Sequence, residues 1–147
     1  MAQRQSKYMR EIDFIFYNAE AIRDAVRKEK MMTSTSAFLS ERRGSGISDP
    51  TALTVIKRLT PLKSVRITGG AIIEYPERWL EVVDKTNSHC AKKKDCRLEV
   101  AKRRYRGEDY RKTCQELNIS NGHRLRLLEK FKTYAVMLAI QFGLMRV

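Results

Sequence analysis

The sequence predicts an all-α protein, an N-terminal helical lobe followed by a C-terminal three-helix region that contains a helix-turn-helix. Three observations carry that expectation. Tyr8, Ile12, Ile15, Ala19, Ile22 and Val26 recur at alternating steps of four and three, which puts their side chains on one face of a helix. Helix-start signals stand at Asp49-Pro50 and Tyr75-Pro76, because proline suits the first helical position, whose amide needs no partner. The stretch QELNISNGHRLRLL, residues 115–128, has the pattern of two helices around a tight corner.

The first helix is expected over residues 6–30, with a single apolar seam that requires a partner in this chain or in a second copy. Residues 32–48, MTSTSAFLSERRGSGIS, are rich in Ser, Thr and Gly with little periodicity and read as a linker or mobile loop. Asp49 then caps a second helix, in which Leu53, Ile56 and Leu59 share a face before Pro61. SVRITGGAII, residues 64–73, fits either a short hairpin around Gly69-Gly70 or a connection between helices. From Tyr75-Pro76 a helix continues through Trp79, Val82, Val83 and Thr86 to about residue 87, with Trp79 as a core anchor. Beyond residue 91 the pattern is a helix to about residue 106, a break at Gly107, a helix over 109–117, a corner, and a long helix from 121 to about 142. The chain thus divides into an amphipathic helix (1–31), a linker (32–48), a helical middle region (49–90) and a helix-turn-helix region with an apolar last helix (91–147).

Thirty Lys and Arg against 17 Asp and Glu give a net charge of +13, which points to a polyanionic partner. Residues 91–132 hold fourteen of those basic residues and six of the acidic ones, so the C-terminal third is where an anion should bind. Three cysteines without framework spacing, and no secretory signal, fit free thiols in a reducing cytoplasm. The longest uncharged run, residues 133–145, is well short of the roughly 20 apolar residues a membrane helix needs, so no membrane partner is expected. A buried helix is the expectation for that tail, covered by the first helix or, through either surface, by a second copy in a homodimer.

A helix-turn-helix needs a short first helix, an apolar plug at the corner and a second helix with a polar outer face. Residues 110–117 supply the first helix, Cys114 the close approach, Leu117 and Ile119 the plug, and Ser120 the cap of the second helix. Asn118 takes the place usually held by glycine, and Asn tolerates the left-handed conformation better than most residues. At about 100° per residue, Leu125, Leu128 and Phe131 are expected on one side, opposite His123, Arg126 and Lys130. Asn121, His123, Arg126 and Lys130 are the candidate base readers; Arg126 has the paired donors that match a guanine edge. Lys102, Arg103, Arg104, Arg106, Arg111, Lys112 and Arg124 are candidate phosphate contacts on double-stranded DNA, which set register without reading sequence.

Other chemistry is weakly signalled. Gly44-Ser45-Gly46 lacks the Lys-Ser/Thr that completes a phosphate loop. His89, Cys90 and Cys96 do not match zinc-finger spacing and have no evident fourth ligand. With two histidines and no nucleophile–base constellation, the expectation is a protein that is not an enzyme and needs no cofactor.

Two stretches, GSGISDPTA at residues 44–52 and ELNISNGHRLRLLEKFKTYAVMLAIQFGL at residues 116–144, resemble the ArpU/RinA-type phage transcriptional regulators. The C-terminal half of that family is similar to the DNA-binding region 4 of sigma factors, and Phe142-Gly143-Leu144 resembles the close of its last helix. The resemblance implies a sigma region 4-like fold for the C-terminal region, activation of phage or prophage late genes, and host RNA polymerase as a further partner. Relatives commonly have Thr and an aromatic residue where this chain has His123 and Arg124, so a base preference does not transfer. Two rival classes share many of these features: a phage small terminase subunit for DNA packaging, and an interaction protein whose basic face binds an acidic protein. The C-terminal position of the motif counts against the first.

Overall fold

The computed structural model describes residues 2–41 and 60–146. Six helices and one hairpin make up the described residues: α1 (Ala2–Tyr17), α2 (Ala19–Glu41), β1 (Ser64–Arg66), β2 (Ile72–Glu74), α3 (Pro76–Ala91), α4 (Arg97–Tyr105), α5 (Tyr110–Leu117) and α6 (Asn121–Gln141). The helical expectation therefore holds for most of the chain, with a two-stranded sheet added. The helix expected at Asp49-Pro50, the Gly44-Ser45-Gly46 turn and the 44–52 stretch lie outside the described residues.

The helix expected over 6–30 is interrupted at Asn18. Its backbone amide and its Nδ2 both donate to the Phe14 carbonyl, at 3.2 and 2.8 Å, so the side chain competes with the next helical turn. Apolar spacing runs unbroken across this position, which is why periodicity does not register the break. α2 then continues to Glu41, inside the stretch read as a linker.

Two compact units are present, one of Met1–Ala19 with Arg78–Val147 and the other of Glu20–Glu77. The division differs from the expected boundary at 32–48, because α1 belongs with the C-terminal helices. In that unit α6 packs against α1, α4 and α5. Ile12, Ile15 and Phe16 of α1 are buried, as are Leu127, Leu128, Phe131, Ala135, Leu138 and Ala139 of α6. Phe16 meets Tyr105 at 5.3 Å and the Phe131 edge at 5.1 Å between ring centroids. Asp13 fastens the same junction, accepting from Tyr105 Oη at 2.8 Å, Lys132 Nζ at 3.0 Å and Arg104 at 3.5 Å. Burial and the Asp13 charge push the Tyr105 phenol far above its ordinary pKa, so it stays a donor. Ile12 and Ile15 of the expected seam, and Leu138 and Ala139 of the apolar last helix, are thus buried in this unit. Trp79 is buried, as an anchor should be, and no described helix is long and apolar enough to cross a membrane.

In the second unit the hairpin reading of residues 64–73 prevails. Val65 pairs with Ile73 in an antiparallel register, and Gly69 and Gly70 take φ of 99° and 89°, which only glycine adopts freely. Val65, Ile67 and Ile73 are buried while the alternate strand positions face out. Tyr75 donates its amide to Lys63 at 2.8 Å and closes the hairpin before Pro76 starts α3.

Candidate nucleic-acid interface

The corner between α5 and α6 forms as its residues dictate. Asp109 caps α5 by accepting from the Arg111 amide at 3.3 Å, and Ser120 caps α6 by accepting from the His123 amide at 3.1 Å. Asn118 adopts φ 55° and ψ 50°, the left-handed conformation in which glycine is commonest at helix ends, and the Ile119 amide bonds back to Cys114 at 3.0 Å. Gly107, with φ 81°, makes the turn between α4 and α5.

The helix expected from residue 91 instead starts at Arg97, after a turn over 92–96. Asp95 holds that turn, accepting from Arg97 Nε at 2.8 Å and its second terminal nitrogen at 2.7 Å. Those bonds to Arg97 lower the Asp95 carboxyl to about 2.

The buried side of α6 differs from the expected one. It is centred on Arg124, with Leu127, Leu128 and Phe131, and Leu125 is left half exposed. Arg124 is 8% exposed, bonds Asn121 Oδ1 through Nε at 3.0 Å, and lies 5.3 Å from the centroid of the Tyr110 ring. The expected phosphate contact at Arg124 is therefore a structural brace between α5 and α6, and it draws on Asn121, an expected base reader.

Two more expected phosphate contacts are committed inside the fold. Arg103 bonds Glu99 at 2.9 Å, Glu108 at 3.0 Å and Glu116, joining α4, the Gly107 turn and α5. These bonds raise the Arg103 pKa and lower that of Glu116. Arg104 points to Asp13, as described above. Of the rest, Lys102, Arg106, Arg111 and Lys112 are exposed; Arg111 also lies 5.7 Å from the Tyr110 ring centroid, and Lys112 is 4.0 Å from Glu116.

His123, Arg126 and Lys130 are exposed on α6, as expected. Arg126 and Lys130 border a groove completed by His89 of α3 and by Lys93 and Arg97 at the 92–96 turn. Lys92, Lys93 and Lys94 are all exposed there. Reading them as one flank of a longer helix left them out of the candidate contacts, although three consecutive lysines were the available signal. The His89 and Tyr134 rings stack in parallel in this groove, 3.8 Å between centroids at 4°. Desolvation, then the charges of Lys93, Arg97 and Lys92, lower the His89 pKa and favour the neutral ring.

Among the described residues, no group of three or more His, Cys, Asp and Glu is placed to hold a metal ion; Cys90 is buried and Cys96 half-buried. Comparison with protein-family models, with curated proteins and with solved structures finds no match.

Proposed function

We propose that the chain binds double-stranded DNA through a helix-turn-helix formed by α5 and α6, and acts as a transcriptional regulator. The observation that carries this reading is the capped, left-handed corner at Asn118, from which α6 presents His123, Arg126 and Lys130 while its opposite side is buried. Arg126 reads a base edge, a contact worth about 1 to 3 kcal/mol of discrimination when both hydrogen bonds form. Lys102, Arg106, Arg111 and Lys112, joined by Lys92–Lys94, hold the phosphate backbone on either side. The regulatory role, at phage or prophage late promoters beside RNA polymerase, rests on the resemblance of residues 44–52 and 116–144 to the ArpU/RinA-type regulators.

Retention of genomic duplex fragments across a salt series tests the reading. Arg126→Ala is expected to erase selectivity among fragments, whereas Lys102→Ala weakens all of them alike. Failure to retain any fragment at low salt would remove DNA as the partner.

A further inference from the structure

Away from the α5–α6 corner, the groove between the end of α3, the 92–96 turn and the outer side of α6 combines space, ring faces and cations. It is an open surface groove with about 440 Å³ of space. The stacked His89 and Tyr134 rings line it together with Met137, which is 51% exposed. Lys93, Arg126 and Lys130 stand around the rings, none of them in a salt bridge among the described residues. Arg97 also reaches the groove, but Asp95 holds its guanidinium; Glu129 is the carboxylate in the lining.

The His89 and Tyr134 rings cover each other's inner faces, which leaves the outer faces of the pair to stack on a nucleobase, and ammonium groups beside them offer contacts to phosphate. We propose that this groove is a nucleotide-binding site, in which a base stacks on the His89–Tyr134 pair and its phosphate lies between Lys93 and Lys130. The nucleotide is either free or part of an unpaired strand. The assignment does not rest on the duplex-DNA reading, because the His89–Tyr134 ring pair lies outside the residues proposed to meet duplex. Lys93, Arg126 and Lys130 belong to both surfaces, so nucleotide and duplex compete for them.

Fluorescence titration of the full chain with etheno-adenosine monophosphate, and with an oligothymidylate of about eight nucleotides, tests the site. Saturable binding is expected for at least one probe, with displacement by inorganic phosphate much weaker than by unlabelled nucleotide. Tyr134→Leu and Met137→Glu are each expected to weaken it about ten-fold or more; Met137→Glu sits at an exposed position and leaves the core intact. Binding of the mononucleotide identifies a free nucleotide as the ligand, and binding of the oligomer alone identifies an unpaired strand. Absence of saturable binding to both probes overturns the proposal, as does equal displacement by phosphate or indifference to Met137→Glu. Duplex retention by the same preparation is a separate readout, so failure of either assignment leaves the other to be judged by its own result.

Discussion

Arg103 holds three carboxylates drawn from α4, from α5 and from the turn between them, so removing it acts on the fold before it acts on any ligand. Arg103→Ala is expected to lower the thermal midpoint, with Lys102→Ala, at an exposed neighbour, close to the native value; differential scanning calorimetry compares them. Arg124→Ala removes a buried guanidinium, its packing on Tyr110 and its bond to Asn121, and should cost about 1 to 3 kcal/mol in urea unfolding. Acid dependence follows from Asp95, whose carboxyl is lowered from 3.8 to about 2 by Arg97. A depressed carboxyl contributes stability in full above its unfolded value and loses it as the pH falls through the folded one. The loss from this group therefore falls between about pH 4 and pH 2, and Glu116, lowered by Arg103, acts in the same sense. Urea midpoints near neutral pH and near pH 2.5 should fall further for the native protein than for Asp95→Asn; equal falls would show that the Asp95–Arg97 pair contributes nothing.

The corner between α5 and α6 is the element most fully set by local chemistry. Ser120→Ala removes the oxygen that accepts the His123 amide and should cost about 1 kcal/mol. Asn118→Gly is expected to be neutral or stabilising by less than about 1 kcal/mol, and Asn118→Val destabilising by about 1 to 2 kcal/mol, because a branched side chain resists the left-handed conformation. Denaturant unfolding of the three variants checks the order. The Ser120 cap, the Gly107 break and the corner were legible because each depends on residues adjacent in sequence. The break at Asn18 and the turn at 92–96 were not, since apolar spacing continues past the first and lysines suit either a helix or a turn.

For the whole molecule, the +13 charge predicts that the proposed duplex binding weakens steeply with salt. Neutralising one exposed lysine among Lys92, Lys93, Lys94, Lys102 and Lys112 should lower the slope of log affinity against log salt by about 1 if that lysine meets phosphate. Affinity measured from low to moderate salt gives that slope, and an unchanged slope for all five would place the phosphates elsewhere.

The sequence by itself determined the helical character, the Ser120 cap, the tight corner at Asn118 and the basic C-terminal third, because these follow from side-chain type and near-neighbour spacing. Only the tertiary structure decided which cations are free. Arg103, Arg104 and Arg124 looked equivalent to Arg106 and Arg111 along the chain, yet Glu116 and Asp13 reach the first two from distant positions, and Tyr110 packs against the third. The same folding brings Lys93 beside Arg126 and Lys130. Internal partners hold Arg103, Arg104 and Arg124 within the fold, and those partnerships are a property of packing rather than of sequence order.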